Sequence, residues 1–237
     1  MKVKIGCCGF SEAHYKYFKD LDLVELQNTF FQPPSNSTAN KLRDSAPQDF
    51  EFTLKAWQLI THKPSGLRYK NLREPISQKF KARYGFFNPT KEVFKAWEVT
   101  RNYADRLKAK CILFESANNF HPTKENIRNL RKFFNSIKQR DIQLVWEPRR
   151  NWDLQLVKDI CEELNLVHAV DPFQNESVNE SFKYYRLQGL RGYHYKYSDE
   201  ELRKLKDFCS SGETVFCLFN NVFMKDDALR FKKLINS

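Results

Sequence analysis

The sequence lacks long apolar runs, although 41% of its 237 residues are hydrophobic. The longest such runs, residues 111–114 and 215–219, fall far short of the roughly 18 consecutive apolar residues that a membrane span needs. No apolar stretch of signal-peptide length occurs near the start of the chain. We therefore expect a cytoplasmic protein without a membrane partner.

The six cysteines lack any CxxC spacing, which argues against a disulfide framework. Cys7 and Cys8 are adjacent, and neighbouring strand residues point to opposite faces, so a mutual disulfide or a shared metal is disfavoured. We expect all six thiols to be reduced and buried. The chain also lacks the glycine fingerprint of dinucleotide-binding enzymes, which disfavours redox chemistry.

Acidic residues are outnumbered, with 29 Asp and Glu against 40 Lys and Arg, and the formal net charge is +11. A charge of this sign suits an anionic partner, either nucleic acid or a phosphorylated metabolite. Basic residues concentrate in four segments, residues 63–83, 128–132, 138–140 and 230–233. Aromatic residues in the first segment offer stacking surfaces for bases. The cations on outward helix faces are better explained as an ordinary solvated surface.

Short β-branched or aromatic runs alternate with segments of helical spacing along the chain. Eight such runs are predicted strands: residues 3–8, 23–27, 50–56, 111–115, 142–147, 167–170, 184–188 and 215–219. Four segments between them have helical periodicity, and Ser198 to Glu201 has the form of a capping box. This alternation favours a single α/β domain over residues 1–237, folded as a (β/α)8 TIM barrel.

The third connection, residues 60–89, is a long insertion that cannot be one regular helix. It contains Pro64, Gly66, Pro75, Gly85 and Pro89. Two interpretations stay open: a lid over the barrel mouth, or an aromatic-rich loop packed on the barrel wall.

Polar residues cluster at the carboxyl ends of the predicted strands, where TIM barrels gather their substrate groups. The candidates are Glu25, Gln27, Lys55, His62, Glu147, Arg149, Asp171, Arg186, Gln188, Asn220 and Asn221. Strand side chains alternate between the two faces of a sheet, so residues two apart point the same way. This holds for three pairs: Glu25 with Gln27, Glu147 with Arg149, and Arg186 with Gln188. Acids and bases are thus interleaved around one rim.

Each of these residues also has a purely structural interpretation. Glu147 and Arg149 form a buried ion pair on that view, Lys55 neutralises Glu25 across adjacent strands, and Asp171 caps the next segment. The agreement in position of so many polar strand ends favours a ligand site.

Several ordered sequence blocks resemble a known family. The blocks read IGCCGF from Ile5, VELQNTFF from Val24, WEPR from Trp146, VDP from Val170 and YRLQG from Tyr185. They resemble the YecE-like family, domain of unknown function family 72, with most likeness to its archaeal members, over essentially the whole chain. The resemblance implies a TIM barrel without a bound cofactor and no established activity.

The sequence departs from the family pattern in two places. Gln188 stands where most relatives have histidine, and Glu115 to Asn118 replaces a glutamine and proline pair after the fourth strand. Glutamine cannot transfer a proton near neutral pH, so any acid or base at this site must be another residue.

These observations favour a pocket for a small anionic ligand, phosphorylated or nucleotide-like. Arg149 and Arg186 would donate charge-assisted hydrogen bonds, and Lys55 would add a point charge. Glu25 or Glu147 would be the base of a metal-independent hydrolase or lyase, and an Arg186→Ala variant is expected to lose ligand while staying folded. A metal centre is disfavoured because these cations would repel it. The alternative is a non-catalytic nucleic-acid-binding protein, and no pattern specifies an oligomeric state.

Overall fold

Eight parallel strands close into a barrel in sequence order in a computed structural model, which describes residues 2–64, 69, 72–137, 141–150 and 152–237. The strands are β1 (Lys2–Cys7), β2 (Leu23–Leu26), β3 (Glu51–Lys55), β4 (Cys111–Glu115), β5 (Gln143–Glu147), β6 (Val167–Val170), β7 (Phe182–Leu187) and β8 (Thr214–Phe219). The barrel closes where β1 pairs with β8, from Lys2 opposite Thr214 to Cys7 opposite Phe219.

Helices follow every strand except β6 and cover the outside of the barrel. They are α1 (His14–Asp20), α2 (Asn28–Phe31), α3 (Asn36–Ser45), α4 (Gln58–Thr61), α5 (Lys91–Leu107), α6 (Lys124–Ser136), α7 (Leu154–Leu164), α8 (Asp199–Cys209) and α9 (Met224–Asn236). The predicted capping box starts α8, because the Ser198 hydroxyl accepts from the Glu201 N–H and the Glu201 carboxylate accepts from the Ser198 N–H at 2.8 Å. In the described part of the chain, no helix is long and apolar enough to cross a bilayer.

The strand residues divide into two buried layers because successive side chains point to opposite faces. The barrel interior is filled by Cys8, Leu23, Cys111, Leu113, Val145, Val167, Ala169, Tyr184, Phe216 and Leu218. Cys7 belongs to the other layer, between strands and helices, as its adjacency to Cys8 predicted. All six cysteines are free and buried, and the prediction that they are packing residues agrees with this burial.

The end of the long insertion packs on the barrel wall. The N–H groups of Gly85 and Phe87 donate to the carbonyls of Leu59 and Ile60 at 2.8 and 2.9 Å, and Phe87 is fully buried. Gly85 has a φ of +77°, and a Cβ there would lie 2.3 Å from the His62 carbonyl. The wall interpretation therefore holds for this part, while Gly66 lies outside the described residues.

Candidate functional site

Three glutamates converge on the guanidinium of Arg186 at the carboxyl ends of the strands. Arg186 Nη2 lies 2.9 Å from Glu25 Oε1, and Nη1 lies 3.1 Å from Glu115 Oε2 and 2.5 Å from Glu147 Oε2. The Arg186 side chain is 1% exposed. The strand register explains the convergence, because Glu115 of β4 pairs with Glu147 of β5 across the edge of the barrel.

Two further cations complete this arrangement. Lys55 Nζ lies 3.0 Å from Glu115 Oε2, and Arg149 Nη2 lies 3.1 Å from the same oxygen and 3.2 Å from Glu147 Oε1. We call the six residues Glu25, Glu115, Glu147, Lys55, Arg149 and Arg186 the mouth network. Its three positive and three negative charges balance, which offsets the cost of removing them from water.

Neutral side chains donate further hydrogen bonds to Glu25 and Glu147. The Tyr184 hydroxyl donates to Glu25 Oε2 at 2.7 Å, and Gln27 Nε2 donates to Glu25 Oε1 at 2.5 Å. Gln188 Nε2 donates to Glu147 Oε1 at 2.9 Å while its Oε1 accepts from Arg149 Nη1 at 3.2 Å. Gln188 thus links an acid and a base of the network, which requires the donor and acceptor of an amide.

The three glutamates differ in acidity because their surroundings differ. Burial raises the pKa of Glu25, but Arg186 and Lys55 outweigh burial, so its pKa is lowered. For Glu115, Lys55, Arg186 and Arg149 outweigh burial even more strongly, and its pKa falls well below the ordinary value. For Glu147, burial together with the neighbouring Glu115 outweighs the arginines, so its pKa is raised. Glu147 is therefore the carboxyl of the network closest to exchanging a proton at neutral pH.

An open cavity of about 560 Å³ adjoins the network on the side of β5 and β6. Its polar lining includes two arginines, two carboxylates and four amides: Arg149, Arg150, Glu147, Asp171, Asn118, Gln174, Asn175 and Gln188. Arg149 is 27% exposed at its side chain, against 9% for Lys55 and 1% for Arg186. Arg149 is thus the network cation most accessible to a ligand in the cavity.

Two predicted site residues have local structural partners. Asp171 caps the segment after β6, because its Oδ1 accepts from the Phe173 N–H at 3.1 Å, and its Oδ2 accepts from the Gln188 N–H at 3.4 Å. The His62 ring lies edge-on to Phe30 at 5.0 Å, and its Nδ1 hydrogen-bonds with Thr61 at 2.8 Å. Asp171 lines the cavity, whereas His62 does not.

Among the described residues, the two asparagines after β8 make no hydrogen bond to the mouth network and do not line the cavity. Asn221 is fully buried, and its Nδ2 donates to the Tyr195 carbonyl and to Asp227 Oδ2, both at 2.7 Å. The Asn220 N–H donates to the Leu187 carbonyl at 2.8 Å. These contacts join the loops after β7 and β8.

The structure changes three expectations about the mouth. Lys55 pairs with Glu115 rather than with Glu25, and Glu115 and Tyr184 are central residues that our site prediction omitted. The strand-end rule applied to β4 would have included Glu115, since it occupies the same register as Glu147. Arg186→Ala is no longer expected to leave the fold intact, because it would leave three carboxylates with too little positive charge.

The carboxylates of the mouth are arranged around a guanidinium rather than in a metal-ligand geometry. Among the described residues, no group of three or more His, Cys, Asp or Glu side chains is placed to hold a metal ion.

The closed parallel barrel with charged residues at its carboxyl ends defines a TIM barrel. The family described as "Protein of unknown function DUF72" matches residues 5–236, and the chain belongs to this family. The likeness to archaeal members stays a prediction.

Solved structures support the same fold. A DUF72 family protein from Enterococcus faecalis is 20% identical, with a TM-score of 0.74, over 100% of this chain and 98% of that chain. A DUF72 family protein from Thermotoga maritima is 20% identical, with a TM-score of 0.73, over 100% of both chains. A xylose isomerase domain containing protein from Salmonella typhimurium is 11% identical, with a TM-score of 0.62, over 99% of this chain and 98% of that chain. No curated protein matches the sequence.

Proposed function

We propose that the barrel mouth binds a small anionic ligand against Arg149 and that Glu147 exchanges a proton with this ligand or with a water beside it. The observation that carries the proposal is the partly exposed Arg149 guanidinium facing a cavity of about 560 Å³, 3.2 Å from Glu147. Arginine suits an anion here because its fork of N–H groups can bond a ligand while retaining contacts to Glu115 and Glu147.

Glu147 is a better candidate than Glu25 for the proton-transfer role. Glu25 is fully buried beneath Arg186, Gln27 and Tyr184, which donate to its oxygens, and it does not line the cavity. Glu147 lines the cavity and has a raised pKa. Hydrolysis and elimination both need a group that accepts a proton near neutral pH, and Glu147 would be that group.

Charge balance gives the proposal a measurable signature. The mouth network is neutral when all six groups are ionised, so a bound anion adds an uncompensated negative charge next to Glu147. This charge raises the pKa of Glu147 further, and the complex binds more protons than the free protein. The affinity for an anion of constant charge must therefore fall as the pH rises.

Calorimetric titration with inorganic sulfate tests the proposal, because the charge of sulfate does not change near neutral pH. We expect binding that weakens from about pH 5 to about pH 8 and that becomes roughly tenfold weaker in Arg149→Gln, the size of one charge-assisted hydrogen bond. Arg203→Gln, at an exposed position of α8 outside both this cavity and the groove beside α6, is the matched control and should bind like the wild type. Equal binding by Arg149→Gln, or affinity that is constant with pH, would contradict the proposal.

A second candidate, nucleic-acid binding, is supported by a groove of about 850 Å³ beside α6. Lys124, Arg128 and Lys132 line it at every fourth position, which spaces their charges by about 6 Å along the helix. Among the described residues these three have no ion-pair partner, whereas Arg131 in the same groove pairs with Glu163 at 2.8 Å. A row of like charges costs helix stability unless an anionic partner offsets it. The basic segment at residues 138–140 lies outside the described residues.

Binding of a single-stranded DNA oligonucleotide at several salt concentrations tests this candidate. Replacing Lys124, Arg128 and Lys132 together by glutamine should lower the salt slope of binding by about 2, since each phosphate contact contributes about 0.7. Replacing the exposed Lys2, Lys41 and Lys204 removes the same charge elsewhere and should leave the slope closer to that of the wild type. Binding that is independent of salt, or equal loss in both variants, would rule out the groove.

A further inference from the structure

The cavity beside the mouth network extends beyond Arg149 to an imidazole that has no role in the network. His168 of β6 lines this cavity and is 3% exposed. Its backbone N–H donates to Asn179, but its buried Nδ1 has no hydrogen-bond partner among the described residues. A buried polar atom without a partner costs free energy, which a bound ligand or water at the cavity can offset.

The charge state of the His168 imidazole limits which ligand groups it can recognise. Burial lowers the pKa of His168 to about 4, so the ring is neutral at physiological pH. A neutral imidazole offers one N–H donor and one lone-pair acceptor, and the tautomer decides which nitrogen has which role. A hydroxyl group both donates and accepts, so it fits the unpartnered Nδ1 in either tautomer.

The other walls of the same part of the cavity suit a compact organic group. Trp152 is fixed there, because its Nε1 donates to the Phe120 carbonyl at 3.0 Å and its ring stacks on Phe120 at 5.6 Å. Leu154 and Val157 add apolar surface. The amides of Asn118, Gln174, Asn175 and Gln188 supply further donors and acceptors around the opening.

We infer that the ligand is a phosphorylated polyol or sugar, whose phosphate is bound by Arg149 and whose hydroxyl groups are bound by His168 and the cavity amides. The inference rests on the proposed function, because it extends the same pocket from its anion end. It assigns His168 as a binding residue that determines specificity, two residues from the end of β6 on the face that points toward α7. Trp152 would lie against the C–H face of the polyol.

Paired titrations with inorganic phosphate and ribose 5-phosphate at one pH separate the two proposals. We expect wild-type protein to bind ribose 5-phosphate about tenfold more tightly than phosphate, as one well-made hydrogen bond predicts. His168→Phe should remove this advantage and leave phosphate binding unchanged. His121→Phe, at an exposed loop position outside the cavity, is the matched control and should keep the advantage.

A second measurement does not depend on a variant that folds. The imidazole ¹⁵N resonances of His168 should shift when ribose 5-phosphate is added to the wild type and stay unchanged with phosphate alone. If phosphate binds but ribose 5-phosphate binds no more tightly, or if the His168 resonances do not respond to it, the inference is wrong and the proposed function stands. If neither compound binds, the proposed function itself fails.

Discussion

Replacing Arg186 by methionine should destabilise the protein strongly, because this residue is the central cation of the mouth network. Methionine keeps an unbranched side chain in the barrel but removes the contacts at 2.9, 3.1 and 2.5 Å to Glu25, Glu115 and Glu147. Lys55 and Arg149 then face three carboxylates alone. Breaking a buried ion pair from one side typically costs about 3–5 kcal/mol.

This loss is a large share of the roughly 5–15 kcal/mol that stabilises a typical folded domain. For a chain of this length it corresponds to a fall in the melting temperature of roughly 6–20 °C. Arg131→Met is the matched control, since Arg131 and Glu163 form an ion pair in which both side chains are 42% exposed. Its cost should stay below about 1 kcal/mol.

The pH dependence of the stability loss in Arg186→Met distinguishes buried carboxylates left without a cation from a simple packing defect. In the wild type the lowered pKa values of Glu25 and Glu115 contribute stability that is lost as the pH falls through them. In Arg186→Met, burial dominates at Glu25, so its pKa rises above the unfolded value and acidification from neutral pH favours the folded state. The difference in unfolding free energy between the two proteins must therefore shrink toward about pH 5.

Urea unfolding at several pH values measures this difference. Adding Glu25→Gln to Arg186→Met removes one buried carboxylate that has lost its arginine partner, and it should recover part of the lost stability. A loss below about 1 kcal/mol, or a loss that is equal at all pH values, would refute the reasoning.

Two further variants test individual contacts. Tyr184→Phe removes the hydroxyl that donates to Glu25 at 2.7 Å and should cost about 1–3 kcal/mol in urea unfolding; a neutral result would mean that Glu25 does not need this donor. Gly85→Ala and Gly192→Ala both place a side chain at positive φ, but only the first brings a Cβ within 2.3 Å of the His62 carbonyl. Thermal unfolding should show a larger loss for Gly85→Ala, and equal losses would contradict the packing of the insertion on the wall.

The sequence pattern predicts the barrel well because buried strands and amphipathic helices leave distinct periodicities. The predicted bounds of β4 and β6 match the structure, and the other strands differ by one or two residues at their ends. The helical patterns identify α5 to α8 and omit α1, α2, α3, α4 and α9. In α9, the acids Asp226 and Asp227 and the bases between its apolar positions obscure the buried stripe formed by Ala228 and Phe231.

Part of the candidate site can be predicted from the sequence. Position at a strand end, together with the two-residue alternation of strand side chains, brings together Glu147, Arg149, Arg186 and Gln188. The pairing partners were not predictable, because Lys55 lies between two acidic neighbours and only the barrel geometry selects Glu115. The distinction between Glu25 and Glu147 also required the structure. It depends on which carboxylate lines the cavity and which one lies beside Glu115, and a linear pattern does not encode either neighbour.

The most direct test of this account is an NMR titration of the glutamate side-chain carboxyl carbons, with resonances assigned by Glu→Gln variants. The account predicts that Glu147 titrates above the ordinary glutamate pKa and that Glu25 and Glu115 titrate below it. Addition of sulfate should move the Glu147 titration to still higher pH. Titration of Glu147 below Glu25, or a Glu147 that does not respond to sulfate, would contradict the assignment of Glu147 as the proton-transfer group at the barrel mouth.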